Sequence, residues 1–221
     1  MMNFKKNYSF SIAIDGSSAS GKTSGSKIIA KNFGFKLLSS GKLYRYVAYK
    51  LSKDKKKLTN KSYLKKITNE ITLQKLKTKK LYDANITTYA SSIAKIKFIR
   101  NLLKQFQKNF SKNKKFIIEG RDIASKIIPK ADLKLFFHCS ISTKAKRRLK
   151  EFKKTNNKIT LQQVKKALKK RDFMDKNRKE SPLLFVKGAV LVNTTKINTK
   201  QMEDKLNTLV KKAINNKYGN L

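Results

Sequence analysis

Cysteine and histidine are almost absent from this chain of 221 residues, which contains one of each. A single cysteine, Cys139, excludes a disulfide framework and any zinc site built on several thiolates. His138 stands beside it at the end of an apolar run. We interpret the pair as strand residues rather than as metal ligands.

Long apolar runs are missing as well. No stretch approaches the roughly 18 apolar residues of a membrane-spanning helix, and Lys5-Lys6 is not followed by a signal-peptide core. We therefore expect no membrane partner and a cytoplasmic location. The length predicts one domain with a buried core and a small insertion, and we expect a monomer.

Acidic residues are scarce: 13 Asp and Glu face 55 Lys and Arg, a net charge of +42. Such a charge alone favours a polyanionic partner. The lysines are, however, spread over nearly every segment, and no nucleic-acid-binding motif is present. Lysine and asparagine are both abundant, as a codon bias produces, so we expect no specific nucleic-acid partner.

Arginine is rare among these cations, with seven residues against 48 lysines. Because lysine serves wherever a plain charge suffices, the arginines mark places that need a planar, bidentate grip on phosphate or carboxylate. A structural salt bridge could instead explain any one of them, most readily Arg147 or Arg148. The seven are Arg45, Arg100, Arg121, Arg147, Arg148, Arg171 and Arg178.

One short stretch near the N-terminus matches the pattern G-x-x-x-x-G-K-[ST] of a phosphate-binding P-loop. An apolar run precedes it and helical spacing follows it, so a strand, a glycine-rich loop and a helix N-terminus are predicted in that order. Lys22 is expected to reach the β- and γ-phosphates of a nucleotide and the Thr23 hydroxyl to ligate magnesium. The predicted ATP-binding residues are Gly16, Ser17, Ser18, Ala19, Ser20, Gly21, Lys22 and Thr23.

Short apolar segments alternate with helical patterns along the rest of the chain. This alternation predicts an α/β fold whose parallel sheet is covered by helices on both faces. Ser142 is expected to cap the helix after the fourth strand, and Thr160 with Gln163 predicts a capping box. The five expected strands are Phe10–Ile14, Phe35–Leu38, Phe116–Ile118, Leu133–Cys139 and Ala189–Val192.

Polar loops follow three of these strands, at the edge where ligands bind in parallel sheets. The P-loop is one, Ser39–Arg45 is the second and Glu119–Asp122 is the third. A further candidate is the set Arg171, Asp175 and Arg178, which helical spacing would place on one face with a carboxylate between two cations. An exposed charged helix would show the same spacing.

Taken in order, these blocks resemble the bacterial cytidylate kinases, which are P-loop nucleoside monophosphate kinases. The resemblance covers residues 10 to 210. It is carried by the P-loop, Ser40-Gly41-x-x-Tyr44-Arg45, Ser91 with Arg100, Gly120-Arg121-Asp122, Pro129-x-Ala131-x-x-Lys134, and Arg171-Asp172-x-x-Asp175-x-x-Arg178.

The resemblance implies a three-layer P-loop kinase fold with a five-stranded parallel sheet. It further implies transfer of the ATP γ-phosphoryl group to CMP or dCMP, with magnesium as cofactor. Lys22, Arg121, Arg171 and Arg178 would be catalytic. CMP would be bound by Ser40, Arg45, Ser91, Arg100, Arg121, Asp122, Arg171, Asp175 and Arg178.

Two mobile parts are also expected from the resemblance and the local composition. Residues 52–112 would form an acceptor-binding insertion with its helices, and residues 153–159 a lid that closes over ATP. Ser39, Met174 and Ala124-Ser125 depart from the family pattern. These departures leave the class intact but put the turnover rate in question.

Other functions remain open at this stage. A related P-loop kinase with AMP, UMP or a shikimate-like acceptor would share the loop and the fold. A basic nucleic-acid-binding NTPase would need a clustered basic face with stacking aromatics, which the sequence lacks. A degraded kinase kept as a binding protein is opposed by the intact Lys22, Thr23 and arginine set.

Overall fold

The computed structural model describes residues 8–153 and 159–219. Its strands are β1 (Phe10–Gly16), β2 (Lys36–Ser39), β3 (Lys115–Glu119), β4 (Leu133–His138) and β5 (Val190–Asn193). They form one sheet in the order β2-β3-β1-β4-β5. β1 runs parallel to both β3 and β4, and β4 runs parallel to β5. The predicted α/β class with five strands is confirmed, and no strand boundary moves by more than two residues.

The helices are α1 (Lys22–Phe33), α2 (Ser40–Ser52), α3 (Lys61–Asn69), α4 (Ala84–Ile93), α5 (Lys97–Phe110), α6 (Ile141–Lys153), α7 (Leu161–Asn177) and α8 (Thr199–Tyr218). Short 3₁₀ turns occupy Lys55–Thr59, Lys75–Lys77 and Lys79–Tyr82, and a π-helical turn occupies Ile123–Ile127. No described helix is both long and apolar enough to cross a membrane.

The main core joins the sheet to α1 and α8. Phe10, Ile12 and Ile14 of β1 are fully buried and pack with Ile29 of α1 and Leu206 of α8. An apolar strand buried on both sides is the pattern of a central strand in a parallel sheet. β1 therefore holds the loop at its carboxyl end on a rigid base.

A close approach of α1 to the sheet depends on Gly25. A β-carbon placed there would lie 2.6 Å from Cζ of Phe137 in β4 and 3.1 Å from Cδ1 of Leu206 in α8. The first distance is shorter than carbon atoms tolerate, and the second would require the leucine to shift. The glycine lets the first turn of α1, which follows the P-loop, sit directly on the sheet.

A second, smaller core lies between α6 and α7. Ala145, Val164 and Leu168 are buried in it, and Ala19 of the P-loop packs against it. The loop is thus supported from one side by β1 and from the other by the α6–α7 layer.

The chain divides into two compact units. The first comprises residues up to Leu37 and from Asn113 onward, and the second comprises Leu38–Lys112. Within the second unit α2 packs against α3, α4 and α5, and Leu43, Leu51 and Leu103 are fully buried. The predicted insertion of residues 52–112 falls inside this unit.

Local signals at the helix ends were read correctly in one case and wrongly in another. Thr160 and Gln163 form the predicted capping box at the start of α7. The prediction for Ser142 is wrong, because α6 begins at Ile141 and the N–H of Thr143 donates to Oγ of Ser140 at 3.3 Å. Strand β4 ends one residue earlier than expected, so the helix also starts earlier.

Candidate functional site at the carboxyl edge of the sheet

The P-loop has the backbone of an anion cradle. Ala19 and Gly21 are left-handed, with φ of 56° and 88°, and α1 begins immediately after Gly21. A β-carbon at Gly16 would lie 2.3 Å from the carbonyl oxygen of Phe137, so only glycine fits where the loop leaves β1. The strand, loop and helix N-terminus occur in the predicted order, which directs backbone N–H groups and a favourable dipole at one place.

Lys22 is buried, with 5% of its surface exposed, and its Nζ donates to the Ser17 carbonyl at 2.6 Å. Burial lowers the pKa of Lys22 to about 7, and the nearby Arg121 guanidinium adds to the effect. The carboxylates of Glu119, Asp175 and Asp15 raise this pKa but only partly compensate. An additional anion beside Nζ would therefore stabilise the ammonium form of Lys22.

Glu119, at the end of β3, was named from the sequence only as the start of the third polar loop and was given no role of its own. Its Oε1 accepts a hydrogen bond from the Thr23 hydroxyl at 3.0 Å, and the side chain is buried. Its position directly before Gly120-Arg121-Asp122 at a strand end was the signal that could have identified it. The two oxygens are hard donors of the kind that magnesium prefers.

The described residues contain no group of three or more His, Cys, Asp or Glu side chains able to hold a metal alone. That is compatible with magnesium, which takes one or two protein oxygens and completes its shell with water and substrate phosphates. The Thr23 and Glu119 pair beside Lys22 fits this mode of binding.

Asp15, also overlooked, positions the loop that follows β3. Its two carboxylate oxygens accept the N–H groups of Ile123 and Ala124 at 2.9 and 2.8 Å. Burial raises the pKa of Asp15 to about 6, although these two hydrogen bonds favour the ionised form. The Arg121-Asp122 turn is consequently held against the end of β1.

Arg121 and Arg178 converge on Asp175. Nε of Arg121 donates to Asp175 Oδ2 at 2.7 Å, and the NH1 group of Arg178 lies 3.6 Å from Oδ1. The other terminal nitrogen of Arg178 lies 3.9 Å from Oδ1 of Asp122. Asp175 therefore sets the spacing of two of the predicted catalytic arginines.

The charged side chains in this group shift one another's pKa values. Burial would raise the pKa of Asp175, but Arg121, Arg171 and Arg178 hold it below its usual range. Burial likewise opposes ionisation of Arg121, yet the Asp175 carboxylate raises the pKa of its guanidinium. The charged forms of Asp175 and Arg121 are thus favoured. The three arginines outnumber the Asp175 carboxylate, which suits a site for a dianionic phosphate.

The expectation that Arg171, Asp175 and Arg178 share one helix face is wrong for Arg178. Helix α7 ends at Asn177, and Arg178 is extended, with φ −69° and ψ 139°. The chain turns there because the N–H of Leu183 returns to the Asp175 carbonyl at 2.7 Å. Arg178 Nε also donates to the Ser181 carbonyl, so the arginine reaches Asp175 from a turn.

Lys144 and Asp172 bring a further ion pair to the P-loop. Lys144, in the first turn of α6, pairs with Asp172 of α7 and donates to Oγ of Ser17 at 3.0 Å. Asp172 also accepts the N–H of Ser18 at 3.3 Å. No sequence signal distinguishes Lys144 from the other lysines, and its importance comes from contacts between distant residues.

Arg147 and Arg148 have different environments. Arg148 forms an ion pair with Glu151 at 2.6 Å, which confirms the salt-bridge interpretation for this residue. Arg147 instead donates to the hydroxyl and the carbonyl of Thr194, at 3.1 and 2.8 Å. Because the Thr194 hydroxyl donates to Ser20 O at 2.9 Å, Arg147 supports the P-loop indirectly.

The second unit contains the other predicted acceptor residues. Ser40 is buried at the start of α2. The Arg45 guanidinium lies 5.4 Å from the centre of the Tyr82 ring, and that of Arg100 lies 5.7 Å from the Tyr44 ring.

Two of these predicted residues also donate to backbone carbonyls. Arg100 donates to the Ala94 carbonyl at 3.0 Å. Ser91 donates to Thr87 O at 3.2 Å. Of the predicted lid, residues 154–158 lie outside the described part of the chain.

A family model and curated proteins that match the chain carry the same description. The family model described as "Cytidylate kinase" matches residues 12–212. Curated cytidylate kinases resemble the chain over nearly their whole length. The protein from Thermotoga maritima is 32% identical, covering 93% of this chain and 99% of that relative.

Two further curated cytidylate kinases are similar to the chain to about the same extent. The protein from Fusobacterium nucleatum is 33% identical, covering 91% of this chain and 95% of its own. That from Mycoplasmoides gallisepticum is 32% identical, covering 94% and 96%. Among solved structures, an uncharacterised protein from Eubacterium ventriosum shares the fold, with a TM-score of 0.53 at 15% identity over 90% of this chain and 96% of that one.

Proposed function

Since this chain belongs to the cytidylate kinase family, we propose that it transfers the γ-phosphoryl group of ATP to CMP and dCMP, giving CDP or dCDP and ADP. The observation that carries the proposal is the buried Lys22 in an intact P-loop, joined in one unit by Arg121, Arg171 and Arg178. A donor loop and a separate cluster of arginines are what a two-phosphate reaction requires.

The donor phosphates are assigned to the P-loop residues Gly16 to Thr23. The left-handed backbone at Ala19 and Gly21 supports this assignment, because it turns N–H groups toward the loop interior. Lys22 would exchange its present bond to the Ser17 carbonyl for a phosphate oxygen. The negative charge of the phosphate would then stabilise the ammonium form of Lys22, which burial disfavours.

Magnesium is assigned to Thr23 and Glu119. Their oxygens are hydrogen-bonded to each other at 3.0 Å and lie at the start of α1 and the end of β3. A bound magnesium ion neutralises charge on the transferring phosphates. Glu119 adds a carboxylate to the donor set that the sequence had limited to Thr23.

The acceptor nucleotide is assigned to the residues that the family resemblance indicates. They are Ser40, Arg45, Ser91, Arg100, Arg121, Asp122, Arg171, Asp175 and Arg178. Asp175 already holds Arg121 and Arg178, so its part is to position them. Asp122 is the carboxylate we assign to the cytosine amino group or the sugar hydroxyls.

The proposed reaction needs no general base. The acceptor is a phosphate oxygen, already ionised near neutral pH, which forms the new P–O bond as the bond to ADP breaks. The arginines and Lys22 stabilise the charge that spreads over the phosphoryl oxygens in flight. The near absence of histidine from the chain agrees with a mechanism based on positioning and electrostatics.

The proposal extends the earlier expectations for the rest of the molecule. Residues 52–112 are assigned to acceptor binding and residues 153–159 to a lid over ATP. We also propose that the protein is a monomer, that it is located in the cytoplasm and that it acts in pyrimidine nucleotide metabolism. Sedimentation of the pure protein as a dimer would contradict the proposal that it is a monomer.

The direct test incubates the protein with CMP, ATP and magnesium and resolves the nucleotides by chromatography. CDP and ADP should appear in equal amounts, and Lys22→Ala should abolish both while circular dichroism stays unchanged. ADP without CDP would show a simple ATPase. Full turnover by a folded Lys22→Ala protein would refute the role of Lys22.

A further inference from the structure

A carboxylate occupies part of the phosphate cradle. Asp172 Oδ1 accepts the N–H of Ser18, a P-loop residue, at 3.3 Å. Its Oδ2 accepts from Nζ of Lys144. Because the side chains of Lys144 and Asp172 are only 6% and 14% exposed, water screens this pair weakly.

Lys144 holds the loop from the same side. Its Nζ donates to Ser17 Oγ at 3.0 Å, while Lys22 donates to the carbonyl oxygen of the same serine at 2.6 Å. Two ammonium groups from different helices thus meet at Ser17. Such a concentration of positive charge attracts an anion, and Asp172 is placed to supply one.

We propose that Asp172 acts as an internal substitute for phosphate, and that the phosphate chain of the donor displaces it from Lys144, which then becomes a further ligand of that chain. The inference rests on the proposed function, since it takes the P-loop to bind a phosphoryl donor. Lys144 is a phosphate-binding residue in this account, and Asp172 is a positioning residue that acts through it.

The physical reason for displacement is a conflict of like charges. A phosphate chain entering the loop carries several negative charges to within reach of Ser17 and Ser18, where the Asp172 carboxylate already lies. Both anions require the same ammonium group, and the phosphate oxygens carry the greater charge. The phosphate oxygens therefore displace the Asp172 carboxylate from Nζ of Lys144.

The displacement also links donor binding to α7. Asp172 follows Arg171 directly and precedes Asp175 by less than one turn of that helix. A change in the contact of Asp172 with the loop would therefore act on Arg171 and Asp175 of the same helix. Donor binding would in this way adjust the arginine cluster before the acceptor reacts.

The test measures binding of inorganic tripolyphosphate to the full chain by calorimetry, in a chloride buffer without magnesium. Asp172→Asn should lower the dissociation constant by roughly five- to tenfold, because Lys144 is released. Lys144→Gln should raise it by a similar factor. Asp172→Glu, which retains the carboxylate, should show no gain.

The double variant separates release of Lys144 from simple repulsion. In the Lys144→Gln background, Asp172→Asn should give a clearly smaller gain, because only the repulsion is then relieved, whereas a gain of undiminished size there would overturn the proposal. Asp204→Asn on the exposed face of α8 controls for net charge, and an equal gain in this variant would also overturn it. Lys144→Met replaces Lys144→Gln in the cycle if the glutamine variant does not fold.

The readout distinguishes this inference from the proposed activity. Tripolyphosphate binding requires neither CMP nor catalysis, so the pattern of gains and losses can appear in a protein that fails to phosphorylate CMP. Weaker or unchanged tripolyphosphate binding by Asp172→Asn would overturn the inference even in a fully active CMP kinase.

Discussion

Two effects act in opposite directions on the charge of Lys22. Its place in the P-loop calls for a cation, yet burial lowers its pKa to about 7 in the protein without nucleotide. A phosphate chain beside Nζ would favour the ammonium and raise that pKa. Nucleotide binding should therefore be coupled to the protonation state of this one residue.

We predict that ATP binding at about pH 8.5 takes up close to one proton, because Lys22 is largely neutral before binding and ionised afterward. The phosphates contribute little there, since a phosphate monoester has a second pKa of about 6. At about pH 6 the free lysine is already protonated, so this uptake should vanish. Calorimetry in two buffers of different ionisation enthalpy measures the uptake.

Lys22→Arg is the matched control for this prediction, since its guanidinium stays charged at either pH. It should bind ATP without the uptake. An uptake of the same size in Lys22→Arg would assign the proton to another group.

Arg178 tests the argument that arginine marks bidentate sites. Its guanidinium reaches Asp175, Asp122 and the Ser181 carbonyl at once, which an ammonium group does not do. Arg178→Lys should lower kcat/KM for CMP by roughly 10- to 100-fold with little change in melting temperature. Steady-state kinetics with CMP as the varied substrate measures the loss.

Lys176→Arg, two residues earlier and exposed, is the companion variant. It should leave kcat/KM unchanged. Wild-type kinetics in Arg178→Lys would show that charge alone suffices at this position.

At the scale of elements, α1 depends on its contact with the sheet. Gly25→Ala should destabilise the protein by about 1–3 kcal/mol, because the new methyl group meets the Phe137 ring and the gain in helix propensity does not compensate. Urea unfolding measures this difference in free energy.

Gly41→Ala provides the comparison, since Gly41 is exposed in the first turn of α2 and a β-carbon there would have its nearest neighbour at 4.0 Å. Its stability should stay the same or rise by up to about 1 kcal/mol. Equal losses in the two variants would contradict the packing account of Gly25.

The elements themselves were largely predictable, because each depends on local pattern. The apolar runs located all five strands, and α1 begins directly after Gly21, where the P-loop motif predicts a helix N-terminus. The spacing of apolar residues in 85–109 is helical throughout, but this stretch forms two helices, α4 and α5, with a break at residues 94–96. Periodicity alone did not reveal that break.

The site was only partly predictable for the same reason. The P-loop is a continuous motif and was visible at once. Glu119 reaches Thr23 across 96 positions of sequence, and Lys144 reaches Ser17 across 127, so no local pattern reports either contact. Arg178 was assigned to a helix because spacing does not show where α7 ends.

At the scale of the whole molecule, a net charge of +42 opposes compactness through self-repulsion. Salt screens such repulsion, with a Debye length that falls from about 10 Å at 0.1 M to about 3 Å at 1 M. We predict that the melting temperature rises as sodium chloride increases over this range.

Chloride is the suitable salt for that measurement, because sulfate and phosphate would also bind the P-loop. A melting temperature that falls with added chloride would show that attractive ion pairs, such as Lys144 with Asp172, outweigh the repulsion.

The most direct measurement of the central claim is a comparison of acceptors. ADP release is followed with ATP, magnesium and each of CMP, dCMP, UMP, AMP and GMP. We predict that kcat/KM for CMP or dCMP exceeds that for every other acceptor by at least about tenfold. Equal values for UMP or AMP would contradict it.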